Sequence, residues 1–593
     1  MEGMCKHCKQ VFPASKVSGS SQLGRHLKVC DVKLAMDGAL EQIRTSDEVD
    51  PNWKFDQESS RYLLVNLVVS HGLPFTFVEY AGFRKFCESL NPWFKSVSRA
   101  TIQNDCMDTY HRFKDINQEY FKNLSSRVSL TGDMWTSNQK LGYLCITCHW
   151  INNNWKLRHK IIRFCLVETP HDAWNMFTVV LKSLRDWNIE DKLFSFTMDN
   201  AEVNTKMLKH LRIFLDDRDL LHHEGNLLHI RCAAHVLNLI VQDGLKAMKT
   251  VVDNIRESVK YIKSSQHRKK QFVDVVSQEG IKCGQKPKLD VSTRWNSTFC
   301  MLKTTLPFRK AFETLGKQEP SYTFAPSSEE WQMAVDICRL LEVFCHSTDV
   351  ISGSNYPTSN LYFLEMWSAK VVLEEKANSK NATVRMMVKE MRNKFDKYFK
   401  ESYLTNCIPV ILDPRFKMDH VEFRLRKYFG ADVDKHLKQV KKAIEVLYLE
   451  YAAEFEDNDV VLGEQGSCVD QEVLVDSALS DWDEHIKLKK AKSCNELQRY
   501  LEEDFHPRTA DFDILNWWSV NSARYPILGT IARDVLAFPA SSVASESAFS
   551  TCGRVITDHR SSLDAETVEA LMCLEDWIRP TCKYILLAAI LFI

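Results

Sequence analysis

Between Arg127 and Glu168 the chain carries three strand-like runs in series: RVSLTGDMWT, LGYLCITCHWI and WKLRHKIIRFCLVE. β-Branched and aromatic residues dominate them, and turn residues separate them, which is the signature of consecutive strands. A helical stretch (AWNMFTVVLKSLRDW), a fourth strand (LFSFTMD) and a helix from about Ala201 follow. A short strand (LLHIRC) and a long helix from Ala233 to Ile262 come next. Three strands in series and then alternating helix and strand predict an α/β layer built on one mixed sheet. On either side the apolar spacing is helical. It covers residues 61–121, with a Gly-Leu-Pro break at 72–74, then 301–451 and the last hundred residues.

A chain of 593 residues exceeds what one core holds, so two to four domains are expected. Hydrophobic content of 45% places it among globular proteins. Lys+Arg is 77 and Asp+Glu is 78, so any contact with nucleic acid must come from local patches. The 19 Cys lie scattered among apolar runs and no signal peptide opens the chain, which predicts reduced, mostly buried thiols in a cytosolic or nuclear protein. The apolar ending YILLAAILFI is too short to span a bilayer as a helix, and no membrane association is expected.

The first thirty residues hold Cys5, Cys8, His26 and Cys30 in the pattern Cys-x2-Cys, loop, His-x3-Cys. Two thiolates from a tight knuckle and a His and Cys one helical turn apart can close a tetrahedron around zinc. Four protein ligands leave no open position, so the zinc would be structural. Lys6, Lys9, Lys16, Arg25 and Lys28 surround these ligands and Glu2 is the one acid among them, the local excess that phosphate contact requires.

Asp133 lies at the end of the first strand run and Asp199 at the end of the fourth. Carboxylates at strand ends of one sheet can converge and hold divalent metals that act on a phosphodiester, and Mg²⁺ suits an all-oxygen site. Alone, each Asp reads first as a strand-end or turn residue; together, at the strand ends of one mixed sheet, the two are more suggestive. Glu546, a single acid in the small, apolar run ASSVASESAFSTCGRV, would be a third ligand brought in by a late helix.

The chain resembles the transposases of the hAT superfamily, in the plant sleeper-type group of BED zinc finger proteins. The resemblance rests on the zinc cluster and on LTGDMWTSNQKLGYLCITCHWI, FTMDNAEVN, HIRCAAHVLNLIVQDGL, VSTRWNSTFCML and ILDPRFK. It continues through the segment from Asp511 to Trp577. It implies an N-terminal BED finger, an RNase H-like mixed-sheet core interrupted by a helical insertion, and a C-terminal helical dimerisation region. It places Asp133, Asp199 and Glu546 on the family's catalytic triad. It also matches Trp295 to a residue that stacks on a base near the transposon end. Stacking is physically reasonable for an indole, core packing is the alternative, and Arg294 beside it could contact phosphate. Cys232 and His235 match a Cys-x2-His element. A zinc site there would need two further ligands that the sequence does not supply at a suitable spacing, so buried packing near the acids is expected instead.

The expected organisation is a BED-type finger over 1–32, shortened at its start, a linker over 33–58 and a helical DNA-binding or linking region over 59–125. The first part of the core follows over 126–300 and a helical insertion over 301–453. An acidic flexible loop over 454–488, a dimerisation region completing the core over 489–580 and an apolar tail over 581–593 end the chain. The function expected is a nuclear, DNA-binding homodimer or higher homo-oligomer derived from a transposase, either a remnant or a domesticated regulator. The alternative is an active Mg²⁺-dependent cut-and-paste transposase using the Asp/Asp/Glu triad.

Overall fold

The computed structural model describes residues 2–4, 11–13, 54–136, 140–292, 294–464, 495–555 and 563–590. Strands β1 (Glu2–Met4) and β2 (Val11–Pro13) form a small antiparallel ribbon that pairs Gly3 with Phe12. The expected zinc ligands Cys5, Cys8, His26 and Cys30 lie outside the described residues, as do Lys6, Lys9, Lys16, Arg25 and Lys28.

Helix α1 (Gln57–Ser70) starts at Asp56, whose carboxylate accepts the backbone N–H groups of Glu58 and Ser59. It ends at the Gly-Leu-Pro break, and α2 (Ala81–Leu90) and α3 (Arg99–Lys122) follow. The three strand runs become β3 (Val128–Thr136), β4 (Gly142–Ile151) and β5 (Leu157–Leu166). Then come α4 (Ala173–Asp186), β6 (Leu193–Met198), α5 (Glu202–Asp216) and β7 (His229–Arg231). The sheet order is β5-β4-β3-β6-β7, with β3, β4 and β5 antiparallel and β3, β6 and β7 parallel. This is the mixed sheet that the sequence predicts. Every residue of β4 is buried, because helices cover both faces at the centre. Gly132 in β3 permits this packing: a Cβ there would lie 2.7 Å from the Phe196 ring on β6.

The long helix expected from Ala233 to Ile262 is two helices, α6 (Ala233–Ala247) and α7 (Lys249–Lys263). Met248 between them leaves the helical region at φ −109°, ψ 16°. Gly244, near the end of α6, brings that helix against Met391, whose Cγ would sit 2.5 Å from an added Cβ. The apolar periodicity runs through the break unchanged, so the sequence pattern does not mark it.

The insertion continues with α8 (Gln266–Gln278), α9 (Trp295–Thr305), α10 (Arg309–Gln318) and α11 (Ser328–Ile351), the last opened by a capping box between Ser327 and Glu330. Next are α12 (Ser359–Lys376), α13 (Ala382–Ile411), α14 (Lys417–Phe429) and α15 (Val433–Glu464). Helix α15 runs ten residues past the start of the expected loop at 454, since extending a packed helix costs far less than nucleating one. The C-terminal elements are α16 (Glu496–Glu502), α17 (Ile514–Asn521), α18 (Pro526–Ala537), α19 (Val543–Val555) and α20 (Ala565–Ile590). Among the described residues no helix is long and apolar enough to cross a membrane.

Two apolar cores result. One fills the insertion and takes in the C-terminal segment from Leu497 to Ala540. The other joins the sheet to α1, α3, α4 and α5 and takes in Ala548, Phe549 and the face of α20. Val568, Leu571, Leu574 and Trp577 of that face are buried, each worth about 1.5–3 kcal/mol. Helix α20 also closes the free edge of β5. Asp576 accepts the Ile161 N–H at 2.8 Å, Glu569 accepts the Phe164 N–H at 3.4 Å, and the Trp577 indole donates to the Ile161 carbonyl at 2.9 Å. An open strand edge is thereby paired by side chains.

Candidate metal and nucleic-acid site

Strands β3 and β6 run parallel, with Thr131 opposite Thr197. Two residues further on, Asp133 and Asp199 therefore stand at the same level and on the same face at neighbouring strand ends. β3 is buried up to Gly132 and opens to solvent from Asp133 onward. Each carboxylate is held locally. Asp133 Oδ1 accepts the Met134 N–H at 2.9 Å. Asp199 Oδ1 accepts the Ala201 N–H at 2.8 Å and the Asn204 amide at 2.6 Å.

Glu546 enters from the first turn of α19. The strap before that helix is tied to three parts of the molecule. Thr197 donates to the Pro539 carbonyl at 2.8 Å, Ala233 N–H to the Ala540 carbonyl at 2.8 Å, and Ala540 N–H to Thr358 Oγ1 at 2.9 Å. Ser545 then seats the helix on the sheet. Its hydroxyl shares a 2.7 Å hydrogen bond with Thr131, two residues before Asp133, and donates to Thr147 at 3.3 Å. Phe549, one turn on, stacks against Trp135. Ser542, at the start of the helix, donates its hydroxyl to Glu546 Oε1 at 3.3 Å.

The three acids share one electrostatic environment. Burial pushes the Asp133 carboxyl up to about 7, helped by the charge of Glu546 and then that of Asp199. Glu546 is exposed, while Asp133 and Asp199 are half-buried. Among the described residues, the one group of His, Cys and acidic side chains whose ligand atoms all lie within 4.8 Å of one another is elsewhere: His222, Glu450 and Glu454. Arg127 sits on both of those glutamates, 3.0 Å from Glu450, and its guanidinium stacks on Tyr451. That group is already neutralised by a cation and ties α15 to the start of β3.

Cys232 is fully buried beneath the start of α19. Its backbone N–H donates to the Met198 carbonyl, and its sulfur accepts both the N–H and the hydroxyl of Ser542 at 3.4 Å. Burial pushes the thiol up to about 11, so it stays protonated. His235, one turn into α6, is half-buried. Trp295 departs from the stacking expectation. It is 3% exposed inside the insertion core, so its indole offers no free face to a base in this conformation. Arg294 beside it is exposed.

Four successive stretches match family models. Residues 131–227 match the ZBED1 RNase-like domain and 230–340 the ZBED1 RNase-like helical domain. Residues 360–451 match the hAT-like transposase RNase-H fold, and 496–578 the hAT family C-terminal dimerisation region. Over 97% of its length the chain is 34% identical to Zinc finger BED domain-containing protein RICESLEEPER 2 of Oryza sativa, covering 85% of that protein. The chain belongs to the hAT transposase family. Within that family it is also 30% identical to Zinc finger BED domain-containing protein DAYSLEEPER of Arabidopsis thaliana, over 97% of the chain and 84% of that protein. It is 33% identical to the Putative AC transposase of Zea mays, over 97% of the chain and 72% of that protein. The ZBED1 RNase-like match covers most of the mixed sheet described above, the hAT-like RNase-H-fold match covers helices α12 to α15, and the dimerisation region is the segment that delivers Glu546.

Sequence reasoning missed the residues that seat the acids: Thr131, Asn204, Ser542 and Ser545. A faint signal exists. SSVASES sets hydroxyls one and four residues before Glu546, and DNAEVN sets an amide five residues after Asp199.

Proposed function

We propose that this hAT-family chain is a nuclear, DNA-binding homodimer whose carboxylate centre is kept in a form able to support Mg²⁺-dependent phosphodiester chemistry. The observation that carries this reading is the shared level of Asp133 and Asp199 on parallel strands, with Glu546 near enough to raise the Asp133 carboxyl. Two carboxylates at neighbouring strand ends and a third on the first turn of α19 repel one another, and a divalent cation is what such a set of hard oxygen donors fits. Asp133, Asp199 and Glu546 would hold it. When bound, it would supply activation of a water or 3′-hydroxyl and stabilisation of the leaving oxygen. The chain's own residues prepare the acids for this. Ala201 and Asn204 fix one oxygen of Asp199, Ser542 orients Glu546, and Ser545 locks α19 to the strand that carries Asp133. Zinc in Cys5, Cys8, His26 and Cys30, with the lysines around them, would give the finger its hold on DNA.

A second reading, a remnant that binds DNA and regulates without cutting, is favoured by one observation: the buried Trp295 has no face to offer a base. Strand cleavage of a duplex in Mg²⁺ separates the two. Cleavage by the native protein that is lost in Asp199→Ala supports the catalytic reading. Equal cleavage by both, or none by the native protein, leaves the regulator.

A further inference from the structure

The strap that leads to Glu546 is gripped by the insertion at two points, and both lie on one turn. Residues 352–357 join α11 to α12. At the start of this turn the Ile351 carbonyl accepts the Ser541 hydroxyl at 3.1 Å. At its end Thr358 Oγ1 accepts the Ala540 N–H at 2.9 Å. Between the two grips, Gly353, Tyr356 and Pro357 of the turn and Phe538, Pro539 and Ser541 of the strap are walls of one small cavity of about 20 Å³.

Thr358 departs from the ordinary use of its residue type. It stands at the N-cap of α12, where a threonine hydroxyl usually accepts an N–H of its own first turn. Here it makes no such cap bond, and its acceptor goes to the strap. The turn that carries it is held stiffly. Tyr356 folds back over Gly353, where an added Cβ would collide with its ring, and donates its hydroxyl to the Val350 carbonyl at 2.8 Å. The first turn of α12 is fixed from the other side by the ILDPRFK stretch. Asn360 donates its amide to Asp413 at 2.9 Å, and Asp413 is fully buried in the fork of Arg415, at 2.9 and 2.7 Å.

On the strap, Ala540 is fully buried with both backbone groups committed, its N–H to Thr358 and its carbonyl to the Ala233 N–H. Removing the Thr358 hydroxyl leaves that N–H buried without an acceptor, and the strap must shift to find one. Glu546 stands in the first turn of the helix that follows, so a shift of the strap moves its carboxylate. Ser545 fixes the height of α19 over β3, and the Thr358 grip fixes where the helix begins.

We infer that Thr358 is a positioning residue for the acid centre, holding the strap so that Glu546 joins Asp133 and Asp199 as one ligand set. It acts through Ala540 and does not itself hold a metal. The inference rests on the divalent-cation reading above.

The test uses the full chain. Thr358→Val keeps the side-chain shape and removes the acceptor, and Thr358→Ser keeps the acceptor. Thr314→Val is the control, since its hydroxyl donates to Glu279 at 2.7 Å and not to the strap. Three quantities are read: Mn²⁺ affinity by electron paramagnetic resonance, amide exchange of residues 543–549 in EDTA, and the unfolding midpoint. Thr358→Val should bind Mn²⁺ roughly fivefold more weakly or worse and speed exchange of 543–549 by a similar factor. Thr358→Ser and Thr314→Val should keep the native values of both. Native Mn²⁺ affinity in Thr358→Val overturns the assignment, whatever its midpoint, because a merely structural role lowers the midpoint alone. A loss in Thr358→Ser equal to that in Thr358→Val also overturns it, since packing and not the hydroxyl would then be responsible. Should Thr358→Val not fold, Ser541→Ala loosens the other grip and should lower Mn²⁺ affinity in the same direction; native affinity there overturns the inference. A native chain that binds no Mn²⁺ refutes the cation reading, and the grip is then decided by exchange. Faster exchange in Thr358→Val that Thr358→Ser reverses upholds the grip on α19, and unchanged exchange overturns it as well.

Discussion

Asp133→Asn should stabilise the metal-free protein at alkaline pH and do nothing for it at acid pH. Burial and the neighbouring acids push the folded Asp133 carboxyl up to about 7, against an ordinary value of 3.8. Its folded pKa is raised, so the folded state holds this proton more tightly than the unfolded chain. The corresponding stability is fully present below about pH 4 and is lost as pH rises through about 7. Roughly three pKa units correspond to ~4 kcal/mol, the upper figure for what the ionised carboxylate costs the fold at pH 8. Asparagine keeps the oxygen that accepts the Met134 N–H, at 2.9 Å in the native protein, and removes the charge at every pH. Hydrogen exchange of the β3 and β6 peptides in EDTA reads the opening free energy of this part of the sheet. The variant should gain between about 1 and 4 kcal/mol at pH 8 and close to zero at pH 4. Glu546→Gln should give a smaller gain, because burial is the larger cause of the shift and the Glu546 charge the second. Added Mg²⁺ should protect the native peptides and not those of Asp133→Asn. No gain at pH 8, or the same gain at both pH values, would refute the reasoning.

Ser542→Ala should weaken Mn²⁺ binding, read by electron paramagnetic resonance, by roughly fivefold for the loss of one hydrogen bond to a carboxylate, and Ser542→Thr should restore it; unchanged affinity would show that Glu546 needs no support. Arg127→Ala should cost about 1–3 kcal/mol by leaving Glu450 and Glu454 without their cation and Tyr451 without its stacked guanidinium, seen as a lower unfolding midpoint; no measurable loss would contradict the network drawn around Arg127. Cys8→Ser should abolish bound zinc in metal analysis while the two cores keep their unfolding transition, and unchanged zinc content would remove Cys8 from the ligand set. The full chain should run as a dimer in light scattering. Val520→Asp with Phe505→Asp, the exposed large apolar side chains of the dimerisation region, should shift it toward monomer; an intact native chain that is monomeric at micromolar concentration contradicts dimerisation.

The sheet was legible because its strands are continuous β-branched and aromatic runs, a pattern that survives without knowledge of neighbours. That it is mixed followed from the order of strands and helices, while the strand order β5-β4-β3-β6-β7 came only with the fold. The level of Asp133 and Asp199 was half legible: both end strand runs, but only the pairing of Thr131 with Thr197 sets them side by side. What seats Glu546 was not legible. Ser545 meets Thr131 across 414 positions, and a single hydroxyl carries no periodic signal over that distance. The same holds for Arg127 with Glu450 and Glu454, three ordinary charges until the fold brings them together. Trp295 stays open between two readings in the sequence, base stacking by resemblance and core packing; in the structure α9 turns the indole inward, and sequence alone does not say which way a single residue points.

The division of the C-terminal segment between the two cores sets an order on assembly during synthesis. The ribosome delivers β3 and β6 early, with Asp133 and Asp199 in place, while β5 still has an open edge and the face later covered by α19 and α20 is bare. Several hundred residues of insertion must be made before the strap, Ser545 and α20 emerge to close it. Contacts of such long sequence separation form late and slowly, and the waiting sheet is prone to association through its edge. A product cut short by a frameshift or stop anywhere in the insertion would hold two acids on an unfinished sheet and lack the third. The full acid set thus exists only in chains translated past Glu546, and copies stopped earlier would present themselves to the cell as aggregation-prone fragments with an incomplete carboxylate centre.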